Sequence, residues 1–165
     1  WLMKTFITYY DSPGGTLKIT ADDDCVTSIL FWEGETNDVT KLNSVLKNCL
    51  QQLDEYFSGK RTSFDFPMQQ GGTEFQQKVW QLLLQIPFGK TLSYLDLSKQ
   101  YGDVKAIRAV ASANGKNNLA IVVPCHRVIG SNASLTGYAG GLWRKQWLLE
   151  HERKHYSGVE QSTLF

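Results

Sequence analysis

Cysteine is scarce in this chain, and what there is does not pair. Three of 165 residues, Cys25, Cys49 and Cys125, stand far apart, odd in number and with no C-x-x-C spacing. That pattern argues against a disulfide framework and against a thiolate zinc site, and it fits a reducing, cytoplasmic setting. An excess of one charge is missing too: 17 basic residues against 16 acidic ones leave a formal charge of +1. Global charge therefore gives no evidence for a nucleic-acid or membrane partner, and any basic footprint must be local. No apolar run approaches the roughly 18 to 20 residues that span a bilayer, and no charged-then-apolar signal segment opens the chain. These absences predict a soluble protein without a membrane partner. Its 42% hydrophobic and 12% aromatic content suffices for the core of one ordinary domain or two small ones.

What is present reads as α+β: a small N-terminal antiparallel sheet with a covering helix, then a mainly helical part. Alternation predicts strands from Lys4 to Tyr10, Thr16 to Ala21 and Val26 to Trp32, the first two joined through Pro13-Gly14-Gly15. From Val39 to Phe57, Leu42, Val45, Leu46, Cys49, Leu50 and Leu53 recur at spacings of three and four, the stripe of a helix laid on that sheet. Cys49 on this stripe is a core side chain, and Cys25 sits among Asp22, Asp23 and Asp24, anions that raise a thiol pKa. The pattern then dissolves, which sets an N-terminal domain over 1–66, a linker over 67–72 and a C-terminal domain over 73–165.

Thr73-Glu74-Phe75-Gln76 has the form of a capping box and starts a helix that Pro87-Phe88-Gly89 stops. Ser93 can cap a helix from Tyr94 to Tyr101, and Asp103 a second from Val104 to about Asn114, with Gly102 and Gly115 as their stops. This is a helix-turn-helix candidate. Its second helix is built from Ala106, Ala109, Val110, Ala111 and Ala113 with Arg108 as the one long basic side chain past the first turn, the wrong set for reading bases in a major groove. It reads either as a helix packed close against its neighbour, or as one that lies deep in a minor groove while Arg108 probes the stack. Leu119 to Val123 reads as a buried strand, Ser131 to Gly141 as an ordered loop, and Leu142 to about His155 as a last amphipathic helix with a frayed tail from Ser157.

Chemistry concentrates at Val123-Pro124-Cys125-His126-Arg127-Val128-Ile129-Gly130. A cysteine in so apolar a run is inert unless a neighbour draws off its proton, and His126 is that neighbour, provided the chain turns at Pro124 to His126 or a water bridges the two. Glu150 and Glu152 are both candidates to orient the imidazole. On the residues alone, Cys-His-Glu suggests a nucleophilic cysteine enzyme such as a hydrolase. A rival pattern, His151-Glu152-Arg153-Lys154-His155, matches the zinc motif H-E-x-x-H, but it lacks a third ligand, and charged residues on a terminal helix account for it as well.

The octapeptide Val122 to Ile129 closely resembles the active-site motif of the O6-alkylguanine-DNA alkyltransferases, or methylated-DNA protein-cysteine methyltransferases. The likeness continues through Ile86-Pro87-Phe88-Gly89, Ser93-Tyr94, Arg108-Ala109-Val110, Ala113-Asn114-Gly115, Gly137-Tyr138-Ala139-Gly140-Gly141 and His151-Glu152. It implies a cofactor-free, metal-free, monomeric repair protein whose partner is double-stranded DNA containing O6-alkylguanine, with O4-alkylthymine as a second substrate. Cys125 is implied as the acceptor, spent in one reaction. His126, acting through a water, is implied as its base, Glu152 as the anchor of His126, Asn117 as the tie between recognition helix and active-site loop, and Tyr94 as the proton donor to the departing guanine. The resemblance further implies Tyr138, the Ala139 N–H, Gly140 and the Val128 and Cys125 carbonyls around the base, and Arg108, Ala109, Gln76 and Ser131 on DNA, with Arg108 filling the gap left by a flipped nucleotide.

Overall fold

The computed structural model describes residues 4–130 and 137–163, with side chains in the last helix followed to Tyr156. Two compact units emerge: residues 4–71 with Asn118–Val122, and Gly72–Asn117 with residues 123–163.

The first unit is a three-stranded antiparallel sheet of β1 (Phe6–Ser12), β2 (Gly15–Ala21) and β3 (Val26–Phe31), in that order. Strict alternation on β2 buries Leu17, Ile19 and Ala21, and α1 (Ser44–Phe57) covers them with Val45, Leu46, Cys49, Leu53 and Tyr56. The helix begins later than the apolar spacing predicts, at Ser44 rather than Val39. Thr40 is drawn instead to the free edge of β1, where its N–H donates to Ile7 O at 3.0 Å and its Oγ1 accepts from Ile7 N at 2.9 Å. Asn43 then caps α1 through Oδ1, accepting from Leu46 N at 3.0 Å.

The other edge of the sheet is also occupied. Val26 N donates to Pro67 O and Gln69 N to Val26 O, both at 2.9 Å, so three residues of the expected linker lie on β3. Further along, Ile29 pairs with the Leu119 segment through a single parallel bridge. That segment is not the buried strand its composition suggests: Ile121 takes a positive φ of 74° and the run turns on itself. Its apolar residues report burial, which periodicity alone does not distinguish from strand geometry.

In the second unit, α2 (Glu74–Leu83) carries the expected capping box, with Gln76 N donating to Thr73 Oγ1 and Thr73 N to Gln76 Oε1. The helix-turn-helix pair is α3 (Tyr94–Tyr101), capped by Ser93 and closed by Gly102 at φ +106°, and α4 (Ile107–Gly115). A 3-10 turn over Val104–Ala106 precedes α4, where the sequence predicts continuous α-helix. Asp103 holds this tighter turn, accepting from Lys105 N at 3.0 Å. Packing fixes α4 against α2 through Val110, Ala113 and the Trp80 indole N–H, which donates to Ala113 O at 2.9 Å. Two residues before α3 form β4 (Leu92–Ser93), parallel to β5 (Val128–Ile129). The last helix, α5 (Leu142–Thr163), runs beyond the expected end near His155. None of the described helices is long and apolar enough to cross a membrane.

Candidate active site and nucleic-acid interface

Pro124 supplies the turn that a strand could not. Cys125–Arg127 form a 3-10 turn, with Arg127 N donating to Pro124 O at 3.0 Å and Val128 N to Cys125 O. Three successive side chains therefore point inward: Cys125, His126 and Arg127 are 8%, 0% and 6% exposed. On α5, Glu152 meets two of them. Its Oε2 lies 2.7 Å from His126 Nε2, while Arg127 donates through Nε to Oε1 at 2.8 Å and through Nη2 to Oε2 at 3.0 Å. The fork is completed by Arg127 Nη1 on Ile86 O at 2.7 Å and by Gly89 N on Glu152 Oε1 at 3.4 Å. Of the two glutamates open to choice in the sequence, Glu152 faces the imidazole. Glu150 is exposed and accepts from Gln146 instead.

Burial governs the electrostatics of the pair. Burial pushes the His126 pKa down, with Arg127 and Lys145 adding to that and Glu152 opposing it, so the imidazole is neutral at neutral pH. Burial alone would raise Glu152, but His126 first and then Arg127, each by charge and by hydrogen bond, hold the carboxyl well below the usual range. A neutral imidazole facing a carboxylate must place its proton on Nε2. The lone pair is then on Nδ1, which is buried and meets no protein hydrogen-bond partner among the described residues. This is the tautomer of a base.

Around the thiol, Asn117 hydrogen-bonds the Cys125 side chain and donates through Nδ2 to Val123 O at 2.8 Å. Burial raises the Cys125 pKa, opposed by Asn117, by the charge of Lys145 and by its own backbone N–H. Lys145 is 0% exposed. Its amine donates to Gly137 O at 3.4 Å and lies 5.8 Å from the Tyr94 ring centre, and burial brings its pKa down to about 8, with the cysteine charge opposing. Arg127 and Lys145 are the site residues that the sequence reading passed over. Arg127 stands inside the motif itself, and Lys145 falls one helical turn before Leu149 on the apolar stripe of α5, so both positions were inward by pattern.

A cavity of about 600 Å³ opens between α4 and the 137–139 segment, lined by Tyr94, Arg108, Asn114, Tyr138 and Ala139 among others. Four of the expected site residues thus share one space. Burial sends the Tyr138 pKa well above its ordinary value, with the nearby Cys125 charge adding to that. Gly140 is bound to α5 through its carbonyl, which accepts from Arg144 Nη1 at 2.8 Å, and Val128 is fully buried. On the outer face, Arg108 and Ala109 are exposed and Gln76 half-buried, its Oε1 engaged in the α2 capping box. Ser131 lies outside the described residues. The literal H-E-x-x-H spacing serves other contacts: His151 stacks on Trp147 at 5.0 Å, His155 Nδ1 is 2.8 Å from His151 O, and Glu152 is taken by His126 and Arg127. No cluster of three metal-ligating side chains occurs among the described residues.

Two family models match this arrangement: 6-O-methylguanine DNA methyltransferase, ribonuclease-like domain, over residues 5–70, and 6-O-methylguanine DNA methyltransferase, DNA binding domain, over residues 74–154. The constitutive methylated-DNA–protein-cysteine methyltransferase of Bacillus subtilis is 44% identical over 160 residues, spanning 92% of this chain and 97% of that one. A methylated-DNA–protein-cysteine methyltransferase of Mycolicibacterium paratuberculosis is 44% identical over 88% of this chain and 90% of its own. Among solved structures, Mycobacterium tuberculosis OGT in complex with DNA superposes with a TM-score of 0.83 at 42% identity, over 91% of this chain and 94% of that chain. With both halves of the chain matched in order, and a buried Cys-His-Glu set in the half matched to the DNA-binding domain, this protein belongs to the 6-O-methylguanine DNA methyltransferase family.

Proposed function

We propose that the protein repairs DNA by direct reversal, moving the alkyl group from O6 of an alkylated guanine in double-stranded DNA to Cys125 Sγ. The observation that carries the reading is the buried, neutral His126, its Nε2–H on Glu152 and its Nδ1 lone pair unengaged. The thiol proton passes to Nδ1 through a water. An S–C bond forms as the C–O6 bond breaks, and the electron pair left on the guanine is neutralised by a proton from Tyr94. Lys145 lends positive charge to the developing thiolate. The product is a thioether with no acyl group for water to attack, so each molecule reacts once, and this separates the protein from a cysteine hydrolase.

The lesion enters by nucleotide flipping from a helix-turn-helix seated in the minor groove, with Arg108 in the vacated stack and Tyr138 and the Ala139 N–H against the base. Small side chains on α4 allow the close approach. O4-alkylthymine is a second substrate of the same cavity. A single chain supplies every group named, so the working unit is a monomer, and three free thiols suit the reducing cytoplasm.

Mass spectrometry after incubation with a duplex containing O6-methylguanine is the test. One added methyl on the Cys125 peptide, none on Cys125→Ala, and one product per protein are expected. An unmodified wild-type protein would overturn the reading, and many products per protein would give the hydrolase its place.

A further inference from the structure

One wall of the cavity is built largely on glycine. Residues 137–141 read Gly-Tyr-Ala-Gly-Gly, and Gly137 and Gly141 sit at φ +31° and +95°. Glycine takes such angles about as readily as any others, so the segment has little conformational preference of its own. From within, Gly141 N donates to Tyr138 O at 2.9 Å in one turn. The rest of its order has to be imposed from outside.

The first turn of α5 imposes it with two consecutive cations. Lys145 Nζ donates to Gly137 O at 3.4 Å and Arg144 Nη1 to Gly140 O at 2.8 Å, so the carbonyls on either side of Tyr138-Ala139 are both held. The Arg144 bond is the shorter, and its charged donor makes it stronger than a neutral one. The guanidinium is itself steadied, with Cζ 4.5 Å from the centre of the Trp143 ring, a cation–π contact. That contact accounts for an indole left 55% exposed at the start of a helix. Arg144 also reaches Tyr138 through space: burial and the Cys125 charge push the phenol pKa up, and the Arg144 charge opposes them.

We infer that Arg144 is a positioning residue for alkyl transfer, whose grip on the Gly140 carbonyl holds Tyr138 and the Ala139 N–H where the alkylated base must lie. The inference rests on the alkyl-transfer reading above. Without the grip, the glycine backbone on either side of Tyr138-Ala139 is free to rotate, and a base misplaced by about 1 Å from the attacking thiol can lose about a hundredfold in rate. The cost falls on the transfer step and not on DNA binding, since α4 is fixed by its own contacts with α2.

Single-turnover methyl transfer from an O6-methylguanine duplex to the full-length protein is measured over a range of duplex concentrations. Arg144→Met, which keeps the stem and loses the donors, should lower the saturating rate by about 10- to 100-fold while duplex affinity stays within about twofold. Arg144→Lys, still able to place one N–H on Gly140 O, should fall between the methionine variant and wild type. The free base O6-methylguanine, which has no phosphate to bind, should slow by the same factor as the duplex. Should the methionine variant not fold, Arg144→Gln, neutral but still polar, takes its place. A saturating rate equal to that of wild type would overturn the inference. So would a loss that appears as weaker duplex binding and vanishes on the free base, the mark of a phosphate contact. A lysine variant no better than the methionine one would leave Arg144 a merely structural role and overturn it as well. Absence of methyl transfer from the duplex to wild type would instead refute the alkyl-transfer reading on which the inference stands.

Discussion

Glu152 is a buried anion shared by two unlike partners, and the division of labour between them can be measured. Arg127 supplies the charge and three of its guanidinium nitrogens find acceptors, whereas His126 contributes one neutral N–H. Removing one partner of a buried pair leaves the other charge uncompensated, which costs about 3–5 kcal/mol. Arg127→Ala should lose that much in urea unfolding, and Arg127→Lys, which keeps charge but not the fork, should lose less. For pH, the sign follows from a His126 pKa held below its ordinary value. The base is present above that pKa, so transfer should stay level from neutral pH to below about 6.5 and fall only in more acid solution. The stability linked to His126 runs the same way, because the unfolded chain binds that proton first as pH drops. In Glu152→Gln the influence that raises His126 is gone and the amide can present N–H to Nε2. Single-turnover rates between pH 5 and 8 should show a plateau lower by about 10²- to 10⁴-fold and an acid limb displaced further down.

Lys145 completes the residue scale. Its amine is drawn down to about 8 by burial, so its help to the Cys125 thiolate is present below that pH and withdrawn as pH rises through it. Lys145→Met keeps length and volume without charge. Iodoacetamide labelling of Cys125 should then show its midpoint at higher pH than in wild type, while thermal stability holds or improves, since a buried charge has been removed.

At the scale of elements, the turn between α2 and β4 governs how Glu152 is met. Gly89 lies at φ +80°, and a Cβ built there would stand 2.5 Å from the Tyr156 ring on α5. Gly89→Ala should therefore combine left-handed strain with overpacking, about 2–4 kcal/mol by thermal unfolding. Capping and periodicity made most elements legible: the Thr73 box, the Ser93 cap, the Gly102 stop and the stripe of α1 each have one local cause. What stayed hidden depended on distant chain. Val39 to Asn43 satisfied the helical spacing, yet Thr40 went to the β1 edge, 33 residues away. Leu119 to Val123 had strand composition, but one bridge to Ile29 was all the sheet offered it. In the site, Cys125 and His126 could be found from chemistry that needs them together, whereas Glu152 stood level with Glu150 until the family resemblance implied it. Arg127 and Lys145 were harder, because a basic residue on an amphipathic element reads as solvent-facing until a buried carboxylate or thiol is known to await it.

For the whole molecule, near-neutral charge restricts how DNA can be held. With a formal +1, no broad cationic surface can drive association, so affinity must come from a few local phosphate contacts and from close approach in the groove. Around the helix-turn-helix the exposed cations are Lys78, Lys99, Lys105, Arg108 and Lys116. Lys99 pairs with Asp96 at 3.9 Å and Arg108 is proposed for the base stack, leaving Lys78, Lys105 and Lys116, about three, to neutralise phosphates. Each phosphate neutralised contributes roughly −0.9 to the slope of log affinity against log salt, so three give a slope of about −2.7. Between 50 and 200 mM salt the affinity for an undamaged duplex should fall about forty-fold, far less than for a protein with ten such contacts. Fluorescence anisotropy with Cys125→Ala across that range measures it, and Lys105→Ala should flatten the slope by about one unit, equally for every sequence tested. A sequence-independent slope of this size suits a protein that must inspect any stretch of DNA and leave most of it unbound, keeping its single reactive thiol for the base that enters the cavity.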